Sequence, residues 1–449
     1  VRTKFLHFSD CHLGYLQYGS KLRFNDFSRA FLSIINTAIA EKVDFVVLAG
    51  DLFQKRAIDA LTLNSAMRGL EKLAQAKIPC IAVEGNHELA YYNEALGWLR
   101  FLAERDLLIL LHPTFEDGKP ILTPYERRQG AYFDPVPGVR LYGLRYSGSS
   151  THAAFAGMTT AIAEQPKDGI EYTICIAHTG VEGVLSGHKG GLTHTELSVM
   201  RPHVNYLALG HVHKPFTFDN WVYNAGSPET CSMEEVEWAD RGYYLVEVDT
   251  SRSREEGEPP HVATLHANPR RPFYRFSVKV DHAASPVDLY NHCHGVVKRR
   301  AADLGINGKD DPIRSPVVEL RLSGVLPFDR SGLNVEQIKT LVEETFNPIH
   351  CQIRNVTQSA DFAIDADQQL DRRRLEAQIV EELLGRDVRF RTRSAAWTNL
   401  ALNLKQLALT GADADTILEE LGARMRDQDD GRQTTDDAVD QSDPIEGHV

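Results

Sequence analysis

The chain has no pair of cysteines at CxxC spacing, no internal repeat and no surplus of positive charge. It also has no apolar run approaching the roughly 18 residues of a membrane span. The six cysteines, Cys11, Cys80, Cys175, Cys231, Cys293 and Cys351, are scattered, which argues against a zinc knuckle or a redox dithiol and for reduced, structural thiols. The first strand-like run begins at Lys4, too early to leave room for a signal peptide, so the expected location is cytoplasmic, with no membrane partner. The net charge of −13 speaks against a partner bound through a broadly basic face. Residues 427 to 449 hold eight acids and only Arg432 as a base, and so carry −7 of that charge, leaving −6 on the rest. Any contact with a polyanion must therefore rest on local patches and on bound cations.

What is present is a 449-residue chain, enough for two or three domains. Residues 1–265 alternate strand-like apolar runs with helical patterns, the mark of an α/β fold. Helices are expected at Arg23 to Ala40, at Ala60 to Ala76 and near Glu94 to Ala103. Strands at Val139 to Leu144, Trp221 to Tyr223 and Tyr243 to Val248 alternate more, which suggests antiparallel pairs in a second sheet. The expected result is a two-sheet sandwich flanked by helices. A charged, Gly/Pro-containing stretch, Ser251 to Pro260, marks a linker or loop. A small α+β domain over 270–360 follows, with strands at Tyr274 to Val280, Val317 to Leu322 and His350 to Val356 and helices at Val287 to Leu304 and Val335 to Phe346. Residues 365–425 read as helical, with Leu375, Ile379 and Leu383 at spacing four. Ser394 is a candidate N-cap for a helix carrying Trp397, Leu400, Leu404 and Leu407, Gly411 breaks it, and a last short helix holds Ile417, Leu418 and Leu421. The acidic tail at 427–449 is expected to be disordered.

Five short blocks carry the chemistry: Asp10-x-His12, Gly50-Asp51, Gly85-Asn86-His87-Glu88, His178 and Gly210-His211-x-His213. Each ends an apolar strand-like run: Lys4 to Phe8, Val43 to Ala49, Ile78 to Val83, Tyr172 to Ala177 and Tyr206 to Leu209. Side chains at the carboxyl ends of such strands converge in one crevice. Asp10, His12, Asp51, Asn86, His178, His211 and His213 are therefore candidate metal ligands. Mixed carboxylate, amide and imidazole donors favour manganese, iron or zinc over calcium or magnesium. A carboxylate such as Asp51 can bridge two cations, which together polarise a phosphodiester and acidify an attacking water. His87 follows a ligand without being needed for coordination, and suits protonation of a leaving alkoxide; a structural histidine is the plainer alternative. Cys11 stands between two ligands, but strand alternation sends it to the opposite face. His7 is expected in the core or behind the ligands. His188, in LSGHKGG, is a loop residue that could reach phosphate or simply be solvated. Lys298, Arg299 and Arg300 form either a phosphate-binding patch or a solvated helix face.

The motifs DCHLGY, AGDLF, EGNHE, AHTG and GHVHK resemble those of the calcineurin-like metallophosphoesterases. Within that superfamily, HLGYLQY, VDFVVLAGDLF, IPCIAVEGNHE and AGSPET followed by RGYYLVEV are similar to the DNA-repair nucleases of the SbcD and meiotic-recombination-eleven type. The resemblance is strong over residues 4 to 250 and weaker to about 356. It implies one cation on Asp10, His12, Asp51 and His213, a second on Asp51, Asn86, His178 and His211, and His87 as the catalytic residue. It further implies a manganese-dependent exo- and endonuclease of double-strand-break repair, hydrolysing phosphodiesters with a metal-bound water. A DNA-capping role for the α+β domain, a homodimer built by nuclease-domain helices and an SbcC-type coiled-coil ATPase docked on the helices after Asp367 are also implied. The family's pattern is broken twice. Many relatives carry His where Gln54 stands, and an amide cannot supply an imidazolium to the DNA substrate. Glu88 replaces the usual Asp and remains able to orient His87. Two other functions fit the residues: a phosphodiesterase for a nucleotide or other small molecule, and a DNA-end tether with weak catalysis.

Overall fold

The computed structural model describes residues 1–89, 96–185, 190–238, 240–251, 258–306, 315–359, 372–387, 389–410 and 412–429. His188, Gly411 and the tail from 430 lie outside them, as do residues 252–257 of the expected linker. The chain divides into two compact units, Val1–Phe362 and Ala363–Val449.

In the first unit, two six-stranded sheets face each other. One contains β1 (Arg2–Phe8), β2 (Phe45–Leu48), β3 (Cys80–Ala82), β4 (Ile109–Leu110), β13 (Gly242–Asp249) and β14 (His261–Ala267), in the order β14-β13-β1-β2-β3-β4. The strands β1 to β4 run parallel, connected through α1 (Lys21–Ala40), α2 (Ala60–Gln75) and α3 (Trp98–Glu104). The other sheet contains β7 (Tyr132–Val136), β8 (Val139–Leu144), β9 (Tyr172–His178), β10 (Tyr206–Gly210), β11 (Phe216–Phe218) and β12 (Val222–Asn224), in the order β11-β12-β10-β9-β8-β7. Its helices are α4 (Thr151–Glu164) and α5 (His194–Met200), and β5 (Thr114–Glu116) and β6 (Lys119–Ile121) form a separate antiparallel pair.

The apolar runs are unbroken because both faces of each central strand are covered. In β2 and the residue after it, Phe45, Val47 and Ala49 enter the core between the sheets, while Val46 and Leu48 face the helix-side core with Phe31, Ile34 and Leu70. This is period-two alternation in which neither face sees water. A third core lies between the second sheet and α4 and α5. Burying a Leu, Val or Phe contributes about 1.5–3 kcal/mol each, so these layers form a stiff platform for the loops at the strand ends. His7 is a core residue: its Nδ1 meets Tyr206 Oη at 3.0 Å and its Nε2 the Leu209 carbonyl at 3.1 Å.

The expectation of antiparallel pairs in the second sheet holds only at its edges. β8 pairs parallel with β9, and β12 parallel with β10; the antiparallel partners are β7 and β11. The strand expected from Tyr243 to Val248 lies in the first sheet, antiparallel to β1. Its alternation reflects the asymmetry of its two sides. Tyr244, Val246 and Val248 enter the inter-sheet core, whereas Glu247 is exposed.

Toward the end of this unit, β15 (Phe273–Lys279), β16 (Val317–Ser323) and β18 (His350–Asn355) form a three-stranded parallel sheet, and the short strands β17 (Val325–Leu326) and β19 (Gln358–Ser359) a parallel pair. It shares a core with α6 (Pro286–Asp303) and α7 (Val335–Phe346). Arg271 ties this substructure to α1, with Nε 2.6 Å and Nη2 3.0 Å from the two oxygens of Asp26. Tyr18 stacks on His350 at 3.9 Å, and Arg354 and Arg275 reach Glu234 at 3.3 and 3.7 Å.

The second unit holds α8 (Arg372–Arg386), α9 (Ser394–Leu409) and α10 (Ala414–Asp429). Ser394 is the first helical residue, with φ −54° and ψ −41°, so the flanking position falls to Arg393, which makes no capping bond. The last helix has sixteen residues, longer than expected. Asp413 starts it by accepting the Thr416 N–H at 2.9 Å. No described helix is long and apolar enough to cross a membrane.

Candidate metal centre

All seven candidate ligands converge, but on a crevice shared by two sheets. Asp10, Asp51 and Asn86 leave the ends of β1, β2 and β3, whereas His178 ends β9 and His211 follows β10. The ligand loops are stitched together by backbone bonds from Asp10 N to Gly50 O at 3.0 Å and from His12 N to Asp51 O at 3.2 Å. Four ligands sit in left-handed backbone: Asp10 at φ 55°, His12 at 49°, Asp51 at 52° and His211 at 92°. Such residues cost of order 1–3 kcal/mol each and persist where surrounding bonds hold them. This turn ends the regular alternation after Phe8, yet Cys11 still points into the helix-side core, away from the ligands.

Gly85 allows the two carboxylate-bearing loops to touch. A Cβ there would lie 2.0 Å from Asp51 Oδ1.

Asp10 is fully buried, and its two oxygens accept the His211 N–H at 3.0 and 3.1 Å. His178 gives its Nδ1–H to the Ala49 carbonyl at 2.7 Å, which turns Nε2 toward Asp51 Oδ2 at 3.3 Å and Asn86 Oδ1 at 3.1 Å. His211 Nδ1 meets the same Asn86 oxygen at 3.0 Å. On the other side of Asp51, His12 Nε2 and His213 Nε2 face each other at 2.9 Å. His213 Nδ1 is engaged by Glu235 at 2.7 Å.

Electrostatics divides the histidines. Burial, then the neighbouring His213, lowers His12 to about 3. Burial, then His178, lowers His211 to about 4. Burial also opposes charge on His178, but the Asp51 carboxylate raises it to about 9. For His213, burial is overcome by Cys231 and Glu235, which raise it well above the usual histidine value. Burial works to raise Asp51, yet His178, His12 and His87 hold it far below the carboxylate range.

The donor set fits divalent cations: lone pairs of carboxylate, amide and imidazole point at one another from buried, tethered side chains, and a cation satisfies several at once where a proton satisfies two. Triads of His12, Asp51 and His87, and of Asp51, His178 and His211, each have ligand atoms within 4.8 Å of one another.

His87 is oriented by the chain at Gln54. Its Nδ1 bonds to the Gln54 backbone carbonyl, leaving Nε2 3.8 Å from Asp51 Oδ2 and partly open to solvent. The expected role of Glu88 in orienting His87 is therefore corrected. Glu88, 1% exposed, accepts the backbone N–H groups of Asp51 at 3.0 Å, Gly85 at 2.9 Å and Phe53 at 2.8 Å. Its longer side chain serves as a clamp on two ligand loops, and burial followed by the Asp51 charge pushes it up to about 8.

Several site residues lie outside every motif. Glu235, 4% exposed, holds His213 and is itself paired with Arg241. Tyr146 packs its ring against His211 and His178 at 5.5 and 6.1 Å between centroids. Cys231 shares a cluster with His12 and His213. The one sequence signal near Glu235 is the stretch AGSPET, which ends five residues upstream and marks the loop without marking the residue.

Residues 3–215 match the model of the calcineurin-like phosphoesterase family. The chain is also similar to proteins named DNA double-strand break repair protein Mre11. The one from Saccharolobus solfataricus is 28% identical over 252 residues, covering 55% of this chain and 60% of that protein. That from Archaeoglobus fulgidus is 40% identical over 245 residues, covering 52% of each. That from Sulfurisphaera tokodaii is 27% identical over 277 residues, covering 61% and 65%. The matched stretch therefore spans between about half and two thirds of these relatives' length. A dimetal phosphatase from Danio rerio superimposes with a TM-score of 0.34 and 14% identity, covering 59% of this chain and 99% of that one. At that score the likeness carries no weight for this chain.

Proposed function

Residues 3–215 of this chain form a calcineurin-like metallophosphoesterase domain, and from that premise we propose that the protein is a di-metal nuclease that hydrolyses phosphodiesters in DNA during double-strand-break repair. The observation that carries the reading is the convergence of Asp10, His12, Asp51, Asn86, His178, His211 and His213 around a central carboxylate, with His87 beside them and partly open to solvent. Asp10, His12, Asp51 and His213 hold one divalent cation, and Asp51, Asn86, His178 and His211 the other, manganese being the cation the family resemblance suggests. When bound, two such cations supply Lewis acidity to the phosphoryl oxygens and lower the pKa of an attacking water. His87 is the proton donor: its Nδ1–H is committed to the Gln54 carbonyl, so Nε2 is the atom placed to protonate the departing alkoxide. The bond comes from the backbone, so orientation of His87 is indifferent to the side chain at Gln54.

DNA is the proposed substrate because the relatives above are named for DNA double-strand break repair. The three-stranded sheet with α6 and α7 serves as the cap over DNA, with the exposed Lys298, Arg299 and Arg300 contacting phosphate. The second unit docks the SbcC-type ATPase. Its Ile379, Leu383, Leu409 and Leu418 are 44%, 59%, 71% and 61% exposed, apolar side chains open to a partner. A homodimer would use Leu61 and Leu96, 60% and 42% exposed; Leu99, fully buried in its own chain's core, is not available to it.

The test is cleavage by purified protein with Mn²⁺, Mg²⁺ or chelator of end-labelled duplex DNA, circular single strands and bis-p-nitrophenyl phosphate. Metal-dependent cleavage of both DNA and the ester is expected. Cleavage of the ester alone would place the substrate among small phosphodiesters, and no cleavage by metal-loaded protein would favour a DNA-end tether.

A further inference from the structure

Cys231 belongs to a cluster that the seven ligand residues do not account for. Ligand atoms of His12, His213 and Cys231 all lie within 4.8 Å of one another. Two observations aim this cluster at a cation. His213 commits Nδ1 to Glu235, so Nε2, 2.9 Å from His12 Nε2, is the nitrogen turned inward. His12 is 2% exposed, and its Nδ1 has no hydrogen-bond partner among the described residues, so the ring engages only through the nitrogen that faces His213.

Cys231 is fixed in the same frame. Its N–H donates to Glu235 Oε2 at 2.8 Å, so one carboxylate holds both the His213 ring and the Cys231 backbone. The thiol itself is in hydrogen-bond contact with the His213 ring and lies 3.6 Å from the Glu229 carbonyl.

We propose that Cys231 is a thiolate ligand of the cation held by His12 and His213, so that this position has one sulfur donor beside its nitrogen and oxygen donors. The inference rests on the di-metal reading above and names the chemistry of one of its two positions. On binding, the S–H bond is replaced by a sulfur–metal bond and the proton passes to solvent, with no change of oxidation state.

Titration of the metal-free full chain with Co²⁺ under reducing conditions tests it, comparing the wild type with Cys231→Ala. The wild type should take up two equivalents and show a near-ultraviolet thiolate-to-cobalt charge-transfer band. The variant should still bind two equivalents, through its remaining carboxylate, amide and imidazole ligands, but lose that band and release one proton fewer in weakly buffered solution. Cobalt uptake by the wild type without the band, or a band that survives in the variant, overturns the thiolate while leaving the di-metal reading standing. No uptake by either form overturns both.

Discussion

Glu235→Gln separates the two halves of the centre. The carboxylate accepts from His213 Nδ1 at 2.7 Å, from the Cys231 N–H at 2.8 Å and from Arg241. It is 4% exposed, and His213 and Arg241 overcome burial to hold it at about 2, so it is fully ionised at neutral pH. Glutamine keeps the volume and one acceptor oxygen but replaces the other with a donor, which faces donors already in place. The bond to His213 also loses its charge assistance, about half its strength. Losing such a partner behind a ligating histidine costs about 10–100-fold in metal affinity, which is about 1.4–2.8 kcal/mol. Arg241, 1% exposed, would be left without its carboxylate, a loss on the order of 3–5 kcal/mol in global stability, reduced by its bonds to Ser227 at 3.2 Å and Thr230 at 3.0 Å. Calorimetric titration with a divalent cation should therefore resolve one weakened site and one within about threefold of wild type, because Asn86, His178 and His211 do not touch Glu235. Equal weakening of both sites, or two unchanged sites in a protein of unchanged melting temperature, would refute the division of ligands.

Two further outcomes follow from the packing. Gly85→Ala should abolish high-affinity metal binding and lower the melting temperature, since its Cβ would lie 2.0 Å from Asp51 Oδ1; metal content after dialysis and a thermal scan check this. His7 is lowered to about 3 by burial, so the unfolded chain takes up a proton near pH 6.5 that the folded chain refuses. Its contribution is present above pH 6.5 and is lost as pH falls toward 3, with a slope of up to ~1.4 kcal/mol per pH unit. Urea unfolding between pH 7 and 4 should show a shallower decline in His7→Gln, and parallel profiles for the two proteins would contradict that assignment.

Much of this arrangement is legible in the chain because strands buried on both faces leave unbroken apolar runs, and the residues just beyond their carboxyl ends must gather. The run from Val43 to Ala49 and the Asp51 after it are an example. Parallel and antiparallel pairing at β8 and β13 was less legible, since alternation reports how a strand's two faces differ in burial and not which neighbour it takes. Glu235 and Tyr146 carry no pattern of their own; they act through distances set by tertiary packing. Gln54 shows the converse. Its side chain drew attention as a departure, whereas its contribution to the site is a backbone carbonyl that any residue supplies. The left-handed backbone at Asp10, His12 and Asp51 was equally hidden, because these residue types adopt it only when neighbouring loops hold them there.

The most direct measurement is the metal content of His87→Ala beside its turnover. Elemental analysis after equilibration with Mn²⁺ should give two cations per chain in both the wild type and the variant, while hydrolysis of bis-p-nitrophenyl phosphate falls by about 10²–10⁴-fold, the range for loss of a general acid. A variant that loses a cation, or that keeps both and turns over at the wild-type rate, would contradict the assignment of seven ligands around one separate proton donor.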